Sequence, residues 1–163
     1  MHEKSTVQKF KTAIKDFKFV HIAGHHIFNK ENPKLSGIIF SPNNKQLKKG
    51  SQEPIFYIGD SYNLQLNADL IILSCCDTGR GKIVKGEGVM AINRGFLYSG
   101  AANIMHTLFK VYDKSSSELT QSFFDKVLNE NQSYTQALQK TKIEMIKQGL
   151  KPKHWAGYVL IAS

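Results

Sequence analysis

Short hydrophobic runs along this chain are separated by polar and glycine-containing segments. The runs Phe19–Ala23 and Leu70–Leu73 stop abruptly at polar residues or glycine. Such short runs, rich in Val, Ile and Leu, are typical of buried strands, because a helix needs about ten or more residues. We expect further strands at Ile38–Phe40 and Ile55–Ile58, which would form a hairpin between the two main strands, and at Ala102–Phe109 and Trp155–Ala162.

A spacing of three or four residues between apolar positions predicts four amphipathic helices. They are a helix over Thr6–Lys18 capped by Ser5 or Thr6, a helix that carries Val89, Ile92 and Phe96 and ends at Gly100, and two helices that begin with capping boxes at Ser115 with Glu118 and at Ser133 with Gln136. Gly149 and Pro152 are expected to end the last helix. Strands that alternate with helices predict an α/β fold with a mostly parallel central sheet flanked by helices.

Length and composition indicate a single globular domain over residues 1–163. Hydrophobic residues make up 41% of the chain, which excludes a disordered protein. No apolar stretch approaches the roughly 18 residues of a membrane span. Met1–Ser5 begins no signal peptide, and Cys75 and Cys76 are sequence neighbours, a poor arrangement for an ordinary disulfide. We therefore expect a cytoplasmic protein with no membrane partner.

The chain is basic, with 22 Lys and Arg residues against 13 Asp and Glu residues and a net charge of +9. Such a balance is compatible with a nucleic-acid partner. The lysines are dispersed over separate segments, and no Arg-rich cluster alternates with aromatic residues. We therefore expect a solvated basic surface and no nucleic-acid partner; a nucleic-acid-binding domain is a third hypothesis that rests on charge alone.

A histidine and a cysteine follow the two main predicted strands. His25 comes just after Phe19–Ala23, and Cys76 just after Leu70–Leu73. Because the carboxyl ends of neighbouring parallel strands form the functional crevice of an α/β sheet, these two side chains could pair as nucleophile and general base. Cys75 would point to the opposite face of an extended chain. His21, within an apolar run, is expected to be either a core histidine or one that supports the catalytic pair from behind, with its ring nitrogens hydrogen-bonded. His106, also within an apolar run, is expected to be a packing residue.

The same residues allow other interpretations. A free cysteine is usually a small buried hydrophobic residue. Without a histidine partner, this would be the interpretation of Cys76. A zinc site could be built from His21, His25, His26, Cys75 and Cys76, but no spacing of a known zinc motif supports it. The glycine-rich connector Gly79–Gly88 lacks the residue order of a phosphate-binding loop. We expect neither a metal nor an organic cofactor.

Several ordered motifs resemble one protein family. They are His21–His26, Leu73–Gly79, Gly86–Gly88, Arg94–Leu97, Ser99–Ala101, Thr107–Val111, Asp113 and Trp155–Ala156. The combination is similar to the CHAT family of caspase-like peptidases, related to separase and the caspases. The resemblance implies a caspase-like sandwich, a protein or peptide substrate, Cys76 as nucleophile, His25 as base, and backbone N–H groups of His26 and Cys76 as oxyanion donors.

The chain departs from the family pattern at three positions of these motifs. His26 stands where the family has Gly, Cys75 stands in place of Ala, and Asp77 stands in place of Glu. Asp77 is expected either to close a turn or to present a carboxylate beside the nucleophile. If Asp77 or Asp113 faces the substrate pocket, its charge would favour a basic side chain just before the cleaved bond.

The resemblance also bears on partners. CHAT domains ordinarily have further strand and helix units upstream, and often TPR repeats before those. This chain would then be the C-terminal portion of the family domain, with an apolar surface that favours self-association or docking of an N-terminal TPR-type region or partner chain. A catalytically silent interaction module of a larger assembly is the alternative to a cysteine endopeptidase.

Overall fold

A computed structural model describes residues 6–27, 29, 31–32, 35–40, 54–74, 83–84, 88–89, 92–109 and 111–162. Its centre is a four-stranded sheet. The strands of this sheet are β1 (Phe19–Ile22), β5 (Leu70–Leu73), β8 (Asn103–Thr107) and β9 (Tyr158–Ala162), in the order β1-β5-β8-β9. The first three are parallel and β9 is antiparallel to β8, so the predicted α/β fold with a mostly parallel sheet, consistent with a caspase-like sandwich, is confirmed.

Strand β5 lies in the interior of the sheet, and both of its faces are covered. All four of its residues are fully buried, which explains the unbroken apolar run in the sequence. Ile71 and Leu73 pack in one hydrophobic cluster with Phe56, Phe96 and Ile104. Leu70 and Ile72 pack in a second cluster on the opposite face, with Met105, Leu119, Phe123, Met145 and Tyr158. The alternation of side chains along one strand therefore divides the core into two layers.

A three-stranded antiparallel sheet lies between β1 and β5 in the chain. It consists of β2 (His25–Ile27), β3 (Gly37–Ile39) and β4 (Ile55–Tyr57), in that order. The predicted hairpin is thus confirmed as β3 and β4, and β2 is a strand that the sequence pattern did not reveal. Its three residues lack the length and the apolar alternation of a strand signal. Ile58, expected in the second strand, instead begins the short helix α2 (Ile58–Ser61).

Within the residues that the structure describes, four further α-helices flank the sheets. They are α1 (Val7–Ala13), α3 (Ile92–Tyr98), α4 (Asp113–Leu128) and α5 (Tyr134–Lys147). The side chain of Thr6 caps α1 by accepting a hydrogen bond from the backbone N–H of Lys9. The predicted capping box of Ser133 and Gln136 is present at α5. Gly149, at φ 77°, follows that helix in the left-handed conformation that glycine tolerates.

Several predicted boundaries were wrong. The Ser115 capping box does not form, because α4 begins at Asp113 and the Ser115 hydroxyl instead donates to the carbonyl of Tyr112. Val89 lies in a two-stranded ribbon of β6 (Ile83–Val84) and β7 (Gly88–Val89) and not in α3. Trp155 precedes β9, because it lies in a turn over residues 155–157 that follows the 3₁₀ turn of Pro152–His154. Within the described residues, no helix is long and apolar enough to cross a membrane.

Candidate active site

The carboxyl ends of β1 and β5 lie side by side. The two strands are parallel and in register, with Phe19 opposite Leu70 and Ile22 opposite Leu73. Beyond the last pair, the backbone N–H of Ser74 donates to the carbonyl of Ile22 over 2.9 Å. The two chains therefore leave the sheet at the same level, at the edge where α/β proteins bind their ligands.

The predicted histidine and cysteine follow these two strand ends at equal distances along the chain. His25 is the third residue after Ile22, and Cys76 is the third residue after Leu73. His25 begins β2, where it lies opposite Ile39, and His26 lies opposite Ile38. Cys75, Cys76, Asp77 and most of the glycine-rich connector lie outside the described residues, so the contact between His25 and Cys76 stays a prediction.

A crevice of about 590 Å³ opens beside this edge of the sheet, on the side of α4. His21, Ala23, Gly24 and Ser74 line it from the strand ends. Val111, Asp113, Ser116, Ser117, Thr120, Gln121 and Phe124 line the facing wall. Asp113, singled out from the sequence, thus contributes an exposed carboxylate to a crevice that is otherwise rich in hydroxyl groups.

Of the two interpretations of His21, the core histidine is wrong, and the hydrogen-bonded supporting histidine agrees with the structure. Its side chain is exposed and lines the crevice, and its Nε2 lies 2.9 Å from the hydroxyl oxygen of Ser74. Desolvation by the walls around the ring lowers the pKa of His21 below its ordinary value. The alternation along β1 could have revealed this orientation, because Ile22 is buried in the core and His21 must face the other way.

His106 behaves as the packing histidine that was predicted. It is only 5% exposed, on β8 opposite Leu73, and within the described part of the chain its Nδ1 has no hydrogen-bond partner. Burial lowers the pKa of His106, and a backbone hydrogen bond with Thr107 offsets part of that shift. Among the residues that the structure describes, no group of three or more His, Cys, Asp or Glu side chains is arranged to hold a metal ion.

The fold and the crevice define an α/β protein of the caspase-like type, with its candidate site at the carboxyl ends of parallel strands. The CHAT domain family model matches residues 1–163, and the chain belongs to this family. The resemblance inferred from the motifs is thereby confirmed.

Two relatives of this chain are much longer proteins. Tetratricopeptide repeat protein 28 of Mus musculus is 22% identical over 98% of this chain, and its human counterpart is 27% identical over 69% of this chain. The matched region makes up 8% of the mouse protein and 4% of the human protein. This chain therefore spans less than a tenth of the length of either relative.

Proposed function

We propose that this CHAT domain is a cysteine endopeptidase in which Cys76 is the nucleophile and His25 the general base. The observation that carries the proposal is the in-register pairing of β1 and β5, with His25 and Cys76 three residues beyond the ends of the paired strands. Along the chain, Cys76 comes two residues after Ser74, which lines the crevice together with His21.

The chemistry follows from the two side chains. A free thiol with a pKa near 8.5 is only a few per cent thiolate at neutral pH, so the imidazole of His25 removes its proton for the attack on the scissile carbonyl. The sulfur forms a bond to the carbonyl carbon, and the C–N bond then breaks as His25 returns the proton to the leaving amine. Water hydrolyses the resulting thioester and releases the acid and the free thiol.

During the attack on the carbonyl carbon, the negative charge that develops on the carbonyl oxygen needs hydrogen-bond donors to stabilise it. Backbone N–H groups of Cys76 and His26 are the proposed donors, each lowering the barrier by about 3 kcal/mol. Asp113 and Asp77 are the proposed substrate-binding carboxylates, because Asp113 lines the crevice and Asp77 follows the nucleophile directly. The proposed reaction requires no metal and no organic cofactor.

Thiol labelling tests the dyad directly. In the folded protein, iodoacetamide is expected to modify Cys76 before Cys75, because reactivity follows thiolate fraction and access. His25→Ala should slow the labelling of Cys76 at neutral pH, and Cys75→Ser, the matched control, should leave it unchanged. Peptide mass spectrometry locates the modified thiol. Equal labelling of both cysteines that is indifferent to His25→Ala would contradict the dyad.

A silent interaction module is the second candidate function. The observation that favours it is His26, which occupies the position of a family glycine and brings a side chain to the backbone proposed to bind the oxyanion. Turnover of a peptide library by the wild type and by Cys76→Ala separates the two functions. Turnover that is equal in both proteins, or absent from both, would favour the silent module.

The proposed partners are a protein or peptide substrate and an N-terminal TPR-type region or a separate chain that supplies it. The name of the two relatives, tetratricopeptide repeat protein 28, supports this context. A cytoplasmic setting is proposed because the two cysteines, adjacent in sequence and poorly arranged for a disulfide, fit a reducing compartment.

A further inference from the structure

The ring of His21 connects the end of β1 to the residue that follows β5. His21 lies on β1 opposite Ile72 of β5, and its Nε2 lies 2.9 Å from the hydroxyl oxygen of Ser74, the first residue after β5. This hydrogen bond links a side chain near the end of β1 to a side chain just beyond the end of β5. It lies on the crevice side of the sheet.

The contact is placed where the regular ladder ends. The backbone bond from the N–H of Ser74 to the carbonyl of Ile22 belongs to the ladder between β1 and β5. The chain from Ser74 to Cys76 is two residues long, and the chain from His21 to His25 is four. The contact between His21 and Ser74 therefore lies four residues before the proposed base and two residues before the proposed nucleophile.

The hydrogen bond is compatible with either neutral tautomer of His21. A serine hydroxyl both donates and accepts, so it pairs with Nε2 whether or not that nitrogen carries the proton. Desolvation in the crevice lowers the pKa of the ring and favours the neutral form at neutral pH. His21 is therefore a poor charge partner for a substrate and a good neutral anchor.

We propose that His21 is a positioning residue that, through Ser74, holds the segment carrying Cys76 at the end of β5. His21 does not touch the reacting atoms in this scheme. Catalytic efficiency depends on the position of the nucleophile, since a displacement of about an ångström can cost orders of magnitude in rate. The inference rests on the proposed function for its consequence in catalysis, but the positioning itself can be tested without turnover.

Amide hydrogen exchange provides that test. The control variant His21→Gln keeps a polar group at about the reach of Nε2, whereas His21→Phe keeps the ring volume without a hydrogen-bonding nitrogen. In His21→Phe the amide of Ser74 should exchange about fivefold faster, the ratio that corresponds to one net hydrogen bond. His21→Gln should stay close to the wild type, and the amide of Ile72, inside the ladder, should be unaffected in both.

A double variant identifies the partner. His21→Phe combined with Ser74→Ala should loosen residue 74 no more than either single change, after correction for intrinsic exchange rates, because both changes remove the same bond. Ser74→Thr, which keeps the hydroxyl, should retain protection. Unchanged exchange at Ser74 in His21→Phe, equal loss in His21→Gln, or additive losses in the double variant would overturn the positioning role.

Labelling of Cys76 links positioning to chemistry. His21→Phe should lower the rate of Cys76 alkylation and kcat by roughly five- to tenfold, with recovery in His21→Gln. If Cys76 is unreactive in the wild type, the proposed function fails, while the exchange data still decide the positioning role. If Cys76 reacts and His21→Phe leaves exchange, alkylation and kcat unchanged, the positioning role alone is refuted.

Discussion

Two histidines have lowered pKa values for the same physical reason in different surroundings. His21 loses hydration at the wall of the crevice, and His106 loses it inside the core between β5 and β9. Desolvation disfavours the imidazolium form in both places. Each ring therefore binds a proton less readily in the folded chain than in the unfolded chain, and this difference links stability to pH.

Acidification below about pH 6.5 should destabilise the protein before its carboxylates titrate. Because the folded pKa values of His21 and His106 are lowered, the unfolded state binds more protons in this window, and the free energy of unfolding falls as pH falls. His106→Leu removes one of these groups and should reduce the loss between pH 7.5 and pH 5.5. Urea denaturation at both pH values measures the free energy of unfolding. If this free energy falls as much in the variant as in the wild type, His106 does not contribute to the pH dependence.

The carboxylate of Asp113 should influence which substrate side chain enters the crevice. If the cysteine endopeptidase proposal is right, Asp113→Asn should reduce the preference for Lys or Arg over Gln just before the cleaved bond by roughly three- to fivefold, a modest effect because the group is exposed. Asp125→Asn, an exposed change on the same helix that does not line the crevice, is the matched control. A positional peptide library gives the ratio, and equal ratios in all three proteins would remove Asp113 from the pocket. Asp77→Asn tests the second carboxylate in the same way.

At the scale of elements, the helix pair α4 and α5 contains a feature that the hydrophobic pattern did not reveal. Leu119 and Phe123, four residues apart on α4, follow the apolar periodicity of a helix and are fully buried. The polar side chain of Lys126 is only 7% exposed as well, and its Nζ lies 2.7 Å from a carboxylate oxygen of Glu144 on the neighbouring helix. A buried lysine depends on a partner 18 residues away, and local periodicity carries no information about that partner.

Removing the carboxylate should cost more than removing the lysine. Glu144→Gln leaves a buried ammonium with Ser122 and no charged partner, and should lower the free energy of unfolding by about 1–2 kcal/mol, less than for a fully buried pair because Glu144 is half exposed. Lys126→Met removes the buried charge and keeps the length of the side chain, so a change within about 1 kcal/mol is expected. Lys140→Met, at an exposed position on α5, is the control. Chemical denaturation gives the free energy of unfolding of each variant. A larger loss of stability in Lys126→Met than in Glu144→Gln would show that the lysine is not a burden without its partner.

At the scale of the whole molecule, the sequence predicted the parts of the fold that depend on local pattern. Continuous apolar runs identified β1, β5 and β8. The expectation that β1 and β5 are neighbours is confirmed by their pairing. It led to the prediction that His25 and Cys76 meet at one edge, which stays a prediction. The sequence could not predict the antiparallel direction of β9 or the strand β2 at His25, because both depend on pairing with distant residues. The same is true of the contact between His21 and Ser74, which lie 53 residues apart.

Strand β1 is an edge of the described four-stranded sheet, with β5 as its neighbour. The bond from Leu70 N–H to the carbonyl of Lys18 points toward β5, so by alternation the backbone groups of Phe19 point to the outer side. The side chains of Phe17 and Phe19 nearby are 56% and 39% exposed. A strand edge that no described residue pairs with, beside exposed aromatic side chains, favours pairing with another chain.

This edge should therefore support self-association of the 163-residue chain at micromolar concentration. A charged residue at the edge opposes strand addition, so Phe19→Lys should shift the molecular mass in solution toward the monomer. Tyr98→Lys removes an aromatic side chain that is 77% exposed on α3 and should leave the assembly unchanged. Light scattering at several concentrations gives the mass of each protein. If the cysteine endopeptidase proposal is right and a TPR-type region covers the edge, a longer chain that includes this region should be monomeric and more active than the 163-residue chain. A wild-type chain that stays monomeric and turns over peptide as fast as the longer protein would refute a functional role for this edge.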